Sequence, residues 1–290
     1  MKVKKIVKTY PIQMDQELKQ LIEFVFKDYL VYAFINGRAA LYLIGKDMDI
    51  DICVVLDDMI IKKQEKFRKM WKKFVIGYRD IHIKYGFKPD NAFPGDFLTV
   101  SQTYDVVGGR GFSKKDGQIY IQPMGNITDE GDENDYRIFR SMFVIGRAIA
   151  GNKSFFEEIK MLCLTSLIKY FFIISNKLSV EGVINEFLSG KEKEKYGFDQ
   201  RYEPEFSRYM KPLIRDAMIQ LNRYGFIQKK EGRDYEKTQN LDSWGKNILK
   251  RQWISFHLMK FQDPFYVKER GLIFSGVKAG SHWDKLKKII

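Results

Sequence analysis

The sequence predicts an α/β N-terminal domain with a small mixed sheet over residues 1–135, followed by a mainly α-helical region over residues 136–290. Three observations carry that prediction. Short apolar runs alternate with helical patterns through the first half, and residues 48–56 form the clearest strand. From Tyr136 onward, apolar residues recur at helical spacing. A length of 290 residues suits two domains, and 44% hydrophobic with 15% aromatic residues suffices for a sizeable core.

Asp15 can cap a first helix, with Leu18, Leu21, Ile22, Val25 and Tyr29 on one face, running to about Ala33. Asn36-Gly37 breaks the pattern, and a short helix from Arg38 to Ile44 ends at Gly45. In residues 48–56 the first half alternates acid with isoleucine and the second half is wholly apolar. That pattern belongs to a central strand with covered faces and a polar end. Residues 59–83 read as a helix with Phe67, Met70, Trp71, Phe74, Tyr78 and Ile81 as its apolar stripe. Pro89, Pro94 and Gly95 mark a loop, Phe97–Gln102 a second strand, and the run ending at Val106-Val107 a third. Residues 119–121 suit another strand after the Asp116-Gly117 turn. Residues 129–135 form an acidic loop.

In the second half, Ile138, Met142, Ile145 and Ile149 share one helical face, and a second helix covers about 154–174. Residues 180–188 and 205–224 follow as helices, the latter kinked or split by Pro212. Residues 226–230 and 235–238 can pair as a hairpin.

The net charge is +13, and it is segregated. Residues 1–58 carry net −1, residues 59–90 net +7 and residues 91–136 net −5. Such an excess points to a polyanionic partner, RNA or DNA among them. Two cysteines are too few for a disulfide framework, and Cys53 falls inside the apolar strand as inert core. The three histidines show no metal-ligand spacing, and His82 and His257 read as packed or solvated. The apolar stretch 161–174 is interrupted by Lys169 and is too short to span a membrane. Residues 1–10 lack the apolar core of a signal peptide. A cytoplasmic protein with no membrane partner is expected.

The sharpest chemical feature is Asp49-Ile50-Asp51. Residues i and i+2 of a strand point to the same side, so both carboxylates converge. Two like charges that close call for a cation between them. Hard Mg²⁺ (or Mn²⁺) takes carboxylates together with substrate phosphates. A solvated pair of strand-edge acids is the structural alternative.

Asn36-Gly37-Arg38-Ala39-Ala40-Leu41 opens a short helix upstream of this pair. Here the sequence resembles the nucleotidyltransferase-fold superfamily, which includes DNA polymerase beta and the aminoglycoside nucleotidyltransferases. Members have a Gly-Gly or Gly-Ser turn, a short helix, Asp-x-Asp at the start of an apolar strand, and a third acid from a later neighbouring strand. Gly37 matches the second turn residue, and Asp49 and Asp51 match the metal-binding pair. Asn36 replaces the usual Gly, and Arg38 the usual Ser or Thr. The resemblance implies that Gly37 and Arg38 contact nucleotide phosphates. It implies Asp96 as the third acid, with Asp105 the alternative, and it covers about residues 34–107.

Gly108-Gly109-Arg110-Gly111, followed by Lys114-Lys115, is either a phosphate-binding loop with Arg110 as the contact or a surface turn. Lys66 and Lys73 of the basic helix either track a nucleic-acid backbone or lie on a solvated face. Residues 179–240, two helices and a hairpin, resemble a winged-helix module, with Arg215 and Arg223 among the nucleic-acid contacts that the resemblance implies.

The function expected is a Mg²⁺-dependent nucleotidyltransferase. It transfers a nucleoside monophosphate from an NTP to an acceptor hydroxyl, RNA such as tRNA being one acceptor. The alternatives are a non-catalytic winged-helix nucleic-acid-binding protein and a metal-dependent nuclease.

Overall fold

A computed structural model describes residues 10–42, 50–91, 94–108, 111–115, 118–122, 142–175, 177–188, 203–232, 234–238 and 264–277. They fall into two compact units. The first comprises Met1–Val100, Arg147–Phe156 and Phe256–Ile290, and the second Ser101–Gly146 and Glu157–Ser255.

In the first unit, helix α1 (Ile12–Phe26) buries Met14, Leu18, Ile22, Val25 and Phe26. It is shorter than the sequence pattern suggested. Strand β1 (Leu30–Ile35) takes over after Tyr29, because its backbone pairs on both sides with other strands. The short helix α2 (Gly37–Ala40) follows. Strand β2 (Ile52–Leu56) is wholly buried, as its apolar run predicted. A 3-10 turn (Asp58–Lys62), capped by the Asp57 carboxylate on the Met59 amide, leads into helix α3 (Gln64–Lys84). Strand β3 is Asp96–Thr99.

The four strands of this unit stand in the order β3-β2-β1-β6, where β6 is Arg147–Gly151. The sheet is mixed: β2 and β3 run parallel, and β1 is antiparallel to both β2 and β6. One face carries Ala33, Ile35, Ile52, Val54, Leu56 and Phe97 into a core shared with α1 and α3. The alternate residues face the other way, and there the rings of Tyr32 and Phe34 pack on Phe155 and Phe156. Helix α8 (Pro264–Ile273) lies on α3, with Tyr266 against Trp71 at 4.9 Å between ring centres.

Two segments differ from the sequence prediction. Residues after Thr99 form helix α4 (Val100–Gly108) instead of a third strand. Gln102, Thr103, Val106 and Val107 are its buried residues, which is a helical spacing. Residues 147–151 are edge strand β6, although Ile145 and Ile149 fit a helical period. Gly146 interrupts that helix, and β1 supplies a free edge for the strand.

The second unit includes the hairpin β4 (Gly111–Lys115) with β5 (Gln118–Gln122). The long apolar helix α5 (Lys153–Ile174) starts in the first unit and runs on into the second. Next come strand β7 (Lys177–Ser179), helix α6 (Val180–Leu188) and helix α7 (Glu203–Arg223). The hairpin β8 (Ile227–Lys229) and β9 (Asp234–Lys237) closes the series. The sheet order is β7-β9-β8, antiparallel throughout. Helix α7 runs through Pro212 without a break and buries Met210, Ile214, Ala217, Met218 and Leu221. Among the described residues no helix is long and apolar enough to cross a membrane.

Candidate active site

Strand alternation decides where the predicted acids point. Ile50 and Ile52 are fully buried in the core beneath the sheet. Asp51 lies between them, so its side chain points to the opposite face, where it is exposed. The Asn36 amide donates to the Asp51 carbonyl at 3.0 Å, extending the β1–β2 pairing to this residue. Asp96 opens β3 in register with Cys53 of β2, and in-register residues of neighbouring strands share a face. Asp51, Cys53 and Asp96 therefore lie on the same side of the sheet. The Cys53 thiol reports this arrangement: burial pushes it well above its ordinary value, and the negative charge of Asp96 pushes it further.

Gly37 adjoins Asp51. Its φ is +63°, and a Cβ there would stand 3.6 Å from Asp51 Oδ2. The glycine thus permits the turn from β1 into α2 and leaves space beside the carboxylate. Asn36 is buried, and its Nδ2 has no hydrogen-bond partner among the described residues. A buried amide donor without a partner is costly, and an anionic oxygen is the partner it suits. The acidic side chains here offer carboxylate oxygens, the ligand type that hard Mg²⁺ or Mn²⁺ takes.

Asp49 lies outside the described residues, as do Arg110 and His257. Among the described residues no group of three or more His, Cys, Asp or Glu side chains is gathered for a metal. Arg38 lies in α2. Asp105, the alternative third acid, lies on helix α4 in the second unit and not at a strand end. Lys66 and Lys73 are exposed on α3. Lys66 is bonded to Asp28 at 3.3 Å and sits 4.6 Å from the centre of the Tyr29 ring. Lys72 pairs with Glu269 at 2.5 Å, and Lys84 with Glu17 at 2.6 Å. Part of the basic charge of α3 is thus neutralised within the unit. Arg208, Arg215 and Arg223 are exposed on α7 and, at 100° per residue, share its solvent face.

Two features of this region went unread in the sequence. Arg147, taken there as part of a helix, sits on β6 and braces α2. Its Nε donates to the Ala40 carbonyl at 3.2 Å, its Nη1 bonds Asp15 at 2.7 Å, and its guanidinium lies 4.2 Å from the Tyr42 ring centre. Tyr42 itself has φ +59°, rare for a bulky residue. The second feature is the bonding of His82, which is packed, one of the two readings given to it above. It is fully buried, and its Nε2 accepts the Ile50 amide proton at 3.2 Å. Its Nδ1 must then carry the ring proton, which it donates to the Tyr78 carbonyl at 2.8 Å. Burial lowers its pKa to about 4, so the ring is neutral at pH 7. A contact between residues 82 and 50 leaves no mark in either local pattern.

No protein-family model matches the chain, and no curated protein matches it in sequence.

Proposed function

We propose that the chain is a metal-dependent nucleotidyltransferase that moves a nucleoside monophosphate from an NTP to an acceptor hydroxyl. One observation carries this: Asp51, beside Gly37, and Asp96, opening the neighbouring strand β3, lie on the same side of the sheet. The resemblance of the sequence asks for that placement, an acid after the glycine turn and another from a later neighbouring strand.

Asp49, Asp51 and Asp96 would hold Mg²⁺ or Mn²⁺. The cation, when bound, neutralises charge on the phosphates and lowers the pKa of the attacking hydroxyl. The chain's own residues bind and orient. Asn36 Nδ2 donates to a phosphate oxygen, Gly37 leaves room for the phosphate beside Asp51, and Arg38 adds positive charge. Asp96 accepts the proton of the acceptor hydroxyl. That oxygen bonds to the α-phosphorus as the bond to pyrophosphate breaks. Catalysis rests on positioning and electrostatics and needs no covalent intermediate on the protein.

The basic balance favours a nucleic-acid acceptor, with RNA ends such as those of tRNA as one class. Incubation with each labelled NTP, Mg²⁺ and total RNA tests this. Label transferred to RNA, lost in Asp51→Asn, is the expected outcome. Shortened RNA with no label would indicate a nuclease instead.

A second reading has its own support. The order β7-α6-α7-β8-β9 resembles a winged-helix module, and α7 exposes three arginines on one face. On that reading, duplex binding through Arg215 and Arg223 is the working activity and does not depend on Mg²⁺.

A further inference from the structure

Helix α3 presents a single row to the underside of the acid-bearing segments. Phe74, Tyr78 and His82 are spaced four residues apart on its buried face. Their rings adjoin in sequence, tilted by 38° and 42°, with centres 5.9 Å apart for Phe74 and Tyr78 and 3.9 Å for Tyr78 and His82.

Each member touches backbone next to a carboxylate. His82 Nε2 accepts the Ile50 N–H at 3.2 Å, and Tyr78 Oη donates to the Ile50 carbonyl at 3.2 Å. Both polar groups of Ile50 are therefore held from α3. The N–H belongs to the peptide plane shared with Asp49, and the carbonyl to the plane shared with Asp51. Ile50 lies just outside the β1–β2 ladder proper, where a backbone donor needs a partner from elsewhere. With Ile50 held inward, Asp51 alternates outward.

The third member acts on the other segment. Gly95, with φ +136°, precedes Asp96, and a Cβ on it would lie 3.1 Å from Phe74 Cε1 and 3.4 Å from the Ile52 carbonyl. A side chain at the entry to β3 would thus press on the Phe74 ring and on β2. A histidine in an apolar core is costly, and simple filling would be served by leucine. What histidine adds here is an acceptor aimed at the Ile50 amide.

We infer that Phe74, Tyr78 and His82 form a positioning row that fixes the Ile50-Asp51 segment and the Asp96 entry in one geometry for a shared divalent cation. The inference rests on the nucleotidyltransferase reading above. None of the three is a catalytic residue; each acts through the backbone of its neighbour.

The test uses the full chain and Mn²⁺ alone, with bound and free ion separated by electron paramagnetic resonance. Hydrogen exchange at the Ile50 amide is followed in parallel. Wild type should bind Mn²⁺, and Asp51→Asn should lose it. His82→Leu should speed Ile50 exchange and weaken Mn²⁺ binding by roughly tenfold, the low end for groups that orient metal ligands. His82→Gln restores an acceptor and should recover most of both. Tyr78→Phe removes one oxygen and should weaken binding about threefold, so it keeps the test alive if His82→Leu does not fold. Unchanged Mn²⁺ affinity in Tyr78→Phe and His82→Leu, with Asp51→Asn still losing the ion, overturns the positioning role alone. No Mn²⁺ binding by wild type, or binding indifferent to Asp51→Asn, overturns the reading beneath it and the positioning role with it.

Discussion

Gly37 stands against the carboxylate of Asp51: a Cβ on the glycine would fall 3.6 Å from Oδ2. That is an ordinary contact distance, so a methyl fits there but occupies the space beside the acid. The backbone is the stricter constraint, because φ is +63°. Gly37→Ala should therefore cost about 1 kcal/mol of stability, roughly 2–4 °C in Tm. Nucleotide affinity should fall further, by about tenfold, because the phosphate loses its space. Thermal melts and titration with a fluorescent NTP check the two separately. A lowered Tm with unchanged affinity would leave Gly37 as a turn residue only.

Asp51, just before β2, and Asp96, which opens β3 on the same side of the sheet, should act together, and Asp105 should not. Asp51→Asn and Asp96→Asn should each lower nucleotidyl transfer by about a thousandfold, close to 4 kcal/mol of barrier. Asp105→Asn, on helix α4, should stay within about threefold of wild type. Single-turnover transfer with a labelled NTP checks all three. Loss in Asp105→Asn with activity kept in Asp96→Asn would move the third acid to α4.

Residues 52–56 and 64–84 were legible because one period dominates each: continuous burial in β2 and a 3.6-residue stripe in α3. The β8–β9 hairpin was legible from its turn chemistry. The run from Gln102 to Val107 was misread because a short apolar run suits strand or helix until its neighbours are known. β6 was misread for the converse reason: its strand state comes from pairing with β1, more than a hundred residues earlier. Within the candidate site, Asp51 could be named from its Asp-x-Asp pattern, and Gly37 and Asp96 only through the resemblance. The His82–Ile50 bond could not, since a contact across 32 residues is set by how α3 packs beneath the sheet.

Acid should weaken the first unit through His82. The ring is neutral when folded and titrates at about 4, against 6.5 for an exposed histidine. Between those values the unfolded chain binds a proton that the fold does not, so stability rises with pH across this window. The contribution is complete above pH 6.5 and is lost as pH falls toward 4. At about 1.4 kcal/mol per pH unit, the full span is worth about 3 kcal/mol. Urea midpoints at pH 7.5, 5.5 and 4.5 should fall in that order, and His82→Leu should flatten the series. An equally steep series in His82→Leu would assign the acid sensitivity to other groups.

The arginine face of α7 predicts a salt signature that separates the two functional readings. Arg208, Arg215 and Arg223 are exposed on the side opposite the buried stripe of Met210, Ile214 and Leu221. Each arginine that neutralises a phosphate releases counterions, which adds about 0.9 to the slope of log affinity against log salt. Arg215→Ala/Arg223→Ala should therefore weaken duplex binding and reduce that slope by roughly 2. Asp51→Asn should leave both unchanged, since binding of this kind needs no metal. Fluorescence anisotropy at several salt concentrations provides the measurement. If the double variant keeps the wild-type slope, α7 does not meet the backbone, and the antiparallel β7-β9-β8 unit serves another purpose. If it loses binding but still transfers label to a free nucleoside acceptor, the two units divide the work, with nucleic-acid capture in one and phosphoryl chemistry in the other.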